Sequence, residues 1–380
     1  MTQASIGPVM EYLTPRPAPP ARPSLIRAQR RLGSDAILKA LARAAAVTII
    51  LMLASLVVVL ARAAVPSIKA FGFKFLVSSE WRPNPLETPK LTSDGSPIIE
   101  DGETVMEVQP PVFGALPVMF GTAVSSALAL ILAVPLSVGA ALFLVRISPK
   151  VLKGPISFLI EFLAAIPSIA YGIWGLFVLA PLLQSHIEPA CRWAFERMGS
   201  PAALSWLFIE KISLPGGETI TRDIPMAGRD MLCGGIVLAI MILPIITAIS
   251  RDVLKSVPRA QIEGTVALGA TWWQSSREML RYSRSGLFGA VMLGLARAAG
   301  ETMAITMVIG NNNQIRPSVF APAQTMSSLL ANEFAEASLE IHRSALTEVA
   351  LILLVMSLGF NIVARYLVVG KSGGRTAAAH

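Results

Sequence analysis

The sequence predicts an all-α polytopic membrane protein with six transmembrane helices and both termini cytoplasmic. Three observations carry this. Of 380 residues, 53% are hydrophobic and only 15% charged, where soluble domains carry about 25% charged residues. Several apolar runs reach the about 20 residues a helix needs to cross a bilayer core. The cations, despite a net charge of +8, are spread over the short segments between those runs, where orientation signals lie. That scatter excludes a nucleic-acid surface. The two cysteines and three histidines show no metal-ligand spacing, so no metal site is expected.

Residues 1–43 form a cytoplasmic tail. Pro8, Pro15, Pro17, Pro19, Pro20 and Pro23 remove backbone donors, and seven Lys and Arg repel one another, which predicts disorder in its first part and contact of its last part with anionic lipid. The apolar run after it starts too late and is too long for a cleavable signal peptide. The membrane body covers 44–370, and 371–380 is a second cytoplasmic tail. The first span is 44–65. A polar segment to about Pro111 follows and reads as an irregular surface loop. The second span, 116–145, contains Thr122 and is expected to kink at Pro135. The third, 156–183, is interrupted at Pro167-Ser168 and carries Glu161 near its inner end, where the carboxylate needs a partner or water.

The segment 184–230 is too long for a plain connector and reads as helix fragments over 190–198 and 202–211. The fourth span is 231–249, with Pro244 inside. A basic, amphipathic stretch, 250–286, leads into the fifth span, 287–310, and the sixth is 345–368. If the N-terminus is inside, the inner segments hold 19 Lys and Arg and the longer outer segments 11, with 16 of the 24 acids outside. The positive-inside rule then places 250–286 in the cytoplasm.

Within that cytoplasmic stretch, Ile262 and Val266 recur at helical spacing. Gly264, Ala267, Gly269 and Ala270 leave a flat face that another protein could approach. Glu263-Gly264-Thr265-Val266-Ala267-Leu268-Gly269 resembles the E-A-A-x-x-x-G loop of ABC-importer permeases, with Gly264 and Thr265 in place of the two alanines and Leu280-Arg281 where the family has Leu-Pro. Gly294 to Ala304, Leu163 to Gly172, Ile240 to Pro244, and Phe113 to Pro117 with Gly121-Thr122 are similar to segments of the phosphate-specific (Pst) permeases. The likeness spans roughly residues 70–370 and is nearest to their C-type subunit.

The resemblance implies a type I ABC importer permease in the bacterial inner membrane that passes inorganic phosphate. It implies four kinds of partner: a second, A-type permease subunit, two ATPase subunits, a periplasmic phosphate-binding protein, and membrane lipid around the spans. It further implies that Glu263, Gly264, Ala267, Gly269 and Ala270 dock the ATPase. No cofactor is expected in this chain, since ATP and Mg would be held by the ATPase. The sequence agrees with that division of labour. Gly370-Lys371-Ser372 looks like the end of a phosphate-binding loop, but Arg365 stands where its first glycine is required, and no nucleophile–base pair is present.

Arg297 and Glu301 lie in the fifth span. Spaced i, i+4, they would share a helix face and could pair. An arginine at mid-membrane costs about 2.5–3.5 kcal/mol on insertion scales, so it should face the protein interior or a wet cavity. Its planar fork suits an oxyanion. Glu301 would keep binding weak, as a conduit requires. Thr302, Ser168 and Thr122 are further candidate lining hydroxyls. The alternatives are a permease for another oxyanion, a gradient-driven secondary transporter, and a membrane scaffold. A gradient-driven carrier has no need of a docking loop, and a scaffold has no need of charge at mid-membrane.

Overall fold

The computed structural model describes residues 25–89, 99–100, 103–104, 106–213 and 219–372. Two compact units divide the chain after Val58. Helix α1 (Leu25–Phe71) occupies the first unit and continues into the second. It starts well before residue 44 because the prolines of the N-terminal segment end at Pro23, and nothing from Leu25 onward breaks a helix until Pro66, which it tolerates. Of the tail 1–43, whose first part is expected to be disordered, residues 1–24 lie outside the described residues, as do residues 373–380 of the second tail, 371–380.

After α2 (Lys74–Val77) come β1 (Leu86–Pro89), β2 (Ile99–Glu100), β3 (Glu103–Thr104) and β4 (Met106–Gln109). They form two antiparallel pairs, β1 with β4 and β2 with β3. The segment read from the sequence as an irregular loop therefore contains two small strand pairs within a mostly helical chain. Phe113, edge-on to Phe71 and Trp81, anchors it to the body, with ring centroids 5.7 and 5.0 Å apart.

Helix α3 (Leu116–Leu142) runs through Pro135 and ends in a π turn, Phe143–Ile147. Helix α4 (Lys150–Ala165) stops at Ile166-Pro167. A continuous helical rod then begins, made of α5 (Ser168–Trp174), a π turn, α6 (Ala180–Leu182), a second π turn and α7 (Glu188–Arg197). Each of the three π turns among the described residues ends two residues before a proline: Pro149, Pro181 or Pro189. Proline lacks an N–H, and its ring crowds the carbonyl four residues back, which lies inside the π turn. Widening the turn accommodates both effects.

A 3₁₀ turn (Ala202–Leu207) and a hairpin of β5 (Ile209–Ser213) and β6 (Thr219–Asp223) follow. The sequence reading expected helix over 202–211. The β-branched alternation of Ile209, Ile212, Thr219, Ile220 and Thr221 favours the pleated ladder instead.

Helix α8 (Met231–Lys255) is the most enclosed of the membrane-length helices among the described residues. It packs along α3 and α11 through Ala129, Ala133, Val237, Ile242, Ile246 and Ala290. The remaining helices are α9 (Arg259–Ala267), α10 (Trp272–Tyr282), α11 (Arg284–Ala299), α12 (Met303–Val308), α13 (Met326–Glu333) and α14 (Glu340–Ser372). Among the described residues, five helices are long and apolar enough to cross a membrane: Ala36–Phe71, Leu116–Ile147, Ser168–Arg197, Met231–Lys255 and Glu340–Ile362. The segment expected as the fifth of six spans is present as α11 and α12. It is broken at Gly300–Thr302, so neither piece reaches spanning length on its own.

Candidate functional site

The break between α11 and α12 shapes the site. Gly300 closes α11, its N–H donating to the Ala296 carbonyl at 3.3 Å, and Glu301 N–H donates to Ala298 O at 3.4 Å. Glu301 thus leaves the helix on which Arg297 sits, and the face-sharing pair expected from i, i+4 spacing does not form. Its carboxylate accepts instead from Ala304 N–H (3.4 Å), at the start of α12. Its carbonyl accepts the Ser327 hydroxyl at 2.6 Å. Glu301 is 8% exposed, whereas Arg297 is exposed.

Both nonetheless line one cavity of about 430 Å³, with Ile245, Leu293, Ala296 and Gly300. Ile245 lies near the middle of α8, so the cavity opens about halfway along that helix. An otherwise apolar wall thus carries an exposed guanidinium, whose planar fork can bind an oxyanion, beside a buried carboxylate of opposite charge.

The other expected path residues do not line this cavity. Thr302 is half-buried beside it, its hydroxyl donating to Gly300 O (3.4 Å) and its carbonyl accepting from Thr306 Oγ1 (2.6 Å). Ser168 is half-buried at the start of α5, just past the Pro167 break. Thr122 is 1% exposed and fully engaged. Its hydroxyl donates to Val118 O at 2.7 Å and accepts from Met326 N–H at 2.9 Å, holding the first turn of α13. Next to it, Gly121 meets the Gln324 backbone so closely that a Cβ there would stand 2.1 Å from the Gln324 carbonyl oxygen. These two residues fix where Ser327 sits, and Ser327 in turn holds Glu301. Ser327 was not foreseen, since nothing in a lone serine distinguishes it.

A second feature lies past the C-terminal end of α8. Helix α9 buries none of its residues. Glu263, Gly264, Ala267 and Gly269 are exposed and Ala270 is half-buried. Leu268 (91% exposed), Val266, Trp272 and Trp273 add uncovered apolar surface beside them. Gly269 has φ +81° and lies just past the end of α9, where its N–H donates to Val266 O (2.9 Å) and Ala270 N–H to Thr265 O (3.1 Å). This left-handed cap explains why the motif requires glycine at that position.

Thr265, where the family motif has alanine, contacts Ser275 Oγ at 3.1 Å, and Arg146 donates to the same oxygen at 3.3 Å. These bonds brace α9 and α10 against the end of α3. Thr271 and Gln274 form a reciprocal capping box at the start of α10. Glu161, which lacked an evident partner in the sequence, receives Arg251 at 3.3 Å, joining α4 to the last turns of α8.

A largely helical chain with several membrane-crossing helices, a charged cavity midway along the central one and an uncovered helical turn at its end is a multi-pass membrane transport component. Residues 133–370 match the family described as binding-protein-dependent transport system inner membrane component, and the chain belongs to that family. It is 39% identical over 346 residues to the phosphate transport system permease protein PstC of Mesorhizobium japonicum, covering 91% of this chain and 93% of that one. It is 39% identical over 324 residues to PstC of Haemophilus influenzae, covering 85% and 89%. Among solved structures, the MetNI methionine ABC transporter aligns with a TM-score of 0.43 at 16% identity, covering 68% of this chain and 94% of that chain.

Proposed function

We propose that this chain is the permease subunit of an ATP-driven importer that carries inorganic phosphate across the inner membrane. It crosses six times, counting the broken α11–α12 segment as one crossing, and keeps both termini in the cytoplasm. The domain limits are those of the sequence reading, with 250–286 as the cytoplasmic coupling loop. Two ATPase subunits, which hold the ATP and Mg, dock on Glu263, Gly264, Ala267, Gly269 and Ala270. An A-type permease subunit completes the conduit, and a periplasmic phosphate-binding protein delivers the ion. The observation that carries the reading is the exposed Arg297 guanidinium in the cavity beside buried Glu301 at mid-α8. The relatives' phosphate transport names, at 39% identity over most of both chains, supply the ion.

Arg297 is the attracting charge of the path, and Glu301 keeps occupancy brief. Thr302 and Ser168 supply hydroxyls at the two backbone breaks. Thr122 belongs to the path only through the packing that holds α13 and Ser327. The test is labelled phosphate uptake by the assembled transporter in proteoliposomes, with ATP inside the compartment that receives phosphate. Excess unlabelled phosphate should abolish the signal and sulfate leave it intact. Equal competition by sulfate would assign the conduit to a broader oxyanion class. Uptake that ran without ATP on an ion gradient would overturn the reading.

A further inference from the structure

At the N-terminal end of α8, two acidic side chains are buried against each other. Glu188, which opens α7, and Asp230, which caps α8, are both 0% exposed. Asp230 Oδ1 accepts from Cys233 N–H at 2.8 Å, while Oδ2 and both oxygens of Glu188 lack a well-formed hydrogen bond, with only the Leu232 and Gly228 N–H groups close by. The two buried carboxyl groups are close enough to shift each other's titration. Among the described residues, no Lys, Arg or His nitrogen lies within ion-pair distance of either. Arg192, one turn along from Glu188, is engaged by Glu196 (3.1 Å) and Asp223 (2.6 Å). Arg229 is exposed, and His186 is exposed with its Nδ1 against Ser185 Oγ. The other titratable group beside the pair is the buried Cys233 thiol.

Two ionised carboxylates are both acceptors only, and at this separation, away from water, they repel strongly. One proton between them turns one oxygen into a donor and cancels one charge. Among the described residues no group of three metal-ligating side chains is present that would suit a cation instead. The loop that leads to Asp230 is seated tightly on the same helical rod. Gly228 has φ +68°, and a Cβ there would stand 2.1 Å from the Ala180 carbonyl oxygen.

We propose that Glu188 and Asp230 form a buried proton-binding site that latches the 224–230 loop, and with it the β5–β6 hairpin, onto the 168–197 helical rod. On the orientation proposed above, this end of α8 faces outward, so external pH sets the state of the latch. Burial, with Glu188 alongside, pushes the Asp230 carboxyl up to about 7 from its ordinary 3.8. Because the folded-state value is raised, the stabilisation is full below the ordinary value and is lost as pH rises through about 7. The latch is therefore closed in acid and already loosened at neutral pH.

The test is hydrogen exchange of amides 226–232 in the assembled transporter in lipid nanodiscs, corrected for intrinsic exchange rates, between pH 4 and 9. Wild-type protection should fall between about pH 4 and about 7, approaching tenfold per pH unit as release of one proton requires, and level off above about 7. In Glu188→Gln the carboxamide donates to Asp230 at every pH, so protection should persist at pH 9. PH-independent wild-type protection equal to that of Glu188→Gln would overturn the proposal. So would protection above pH 7 that returns on adding Na⁺ or Ca²⁺, which would assign the pair to a cation. Because this readout does not depend on transport, it stands or falls separately from the phosphate assignment.

Discussion

Replacing Thr122 by valine tests how the cavity is held. The substitution removes a hydroxyl and keeps nearly the same shape. That hydroxyl, 1% exposed, is the acceptor for Met326 N–H at 2.9 Å. Met326 is the first residue of α13, so its N–H has no acceptor within its own helix. Valine leaves it buried and unpaired, which costs about 1–3 kcal/mol, or roughly 5- to 150-fold in the equilibrium between docked and undocked α13. Thermal unfolding of the purified transporter should show this loss, and Thr122→Ser, which keeps the hydroxyl, should recover most of it. Phosphate uptake per folded transporter should change little. A valine variant as stable as wild type but unable to transport would refute the argument, because the hydroxyl would then be acting on the ion.

Three further outcomes are expected. Glu263→Arg should leave membrane insertion intact while separating ATP hydrolysis from uptake, and normal uptake by that variant would argue against docking at α9. Gly269→Val forces a branched side chain into a φ of +81°, a strain of about 1–2 kcal/mol confined to the α9–α10 turn. ATPase co-purification should weaken while the membrane level holds, and unchanged co-purification would show that the cap is dispensable. Glu161→Arg should lower uptake by opposing Arg251, and the exchange Glu161→Arg with Arg251→Glu should restore it. Glu161 is largely exposed, so stability should move by less than about 1 kcal/mol in either case. Failure of the exchange to restore uptake would show that Arg251 acts elsewhere.

Much of the helical scaffold could be read from apolar run length, because a bilayer forces backbone groups to pair within one segment. The breaks at Pro167 and at the N-terminal side of α9 were legible for the same reason: proline declares itself. Other features were not legible, because they depend on neighbours distant in sequence. The split between α11 and α12 occurs at Gly300–Thr302, inside an apolar run with no proline, and it is held by Ser327 from 26 residues away. Arg297 and Glu301 were identified, but their spacing suggested a pairing that the break removes. The β1–β4 and β5–β6 hairpins carried only short, polar β-branched patterns, which compete poorly with amphipathic helix readings. Trp81, placed in an irregular loop by its prolines, instead donates to Glu333 at 2.8 Å, and His342 meets the same carboxylate at 3.0 Å. No local pattern links residues 252 positions apart.

Labelled phosphate uptake by wild type against Arg297→Gln, at matched membrane levels and in cells that rely on this transporter, bears most directly on the account. Glutamine keeps a polar side chain in the cavity and removes the charge. The account predicts that uptake disappears while protein level and ATPase association persist. Unchanged uptake would contradict it, leaving the exposed guanidinium without a part in translocation.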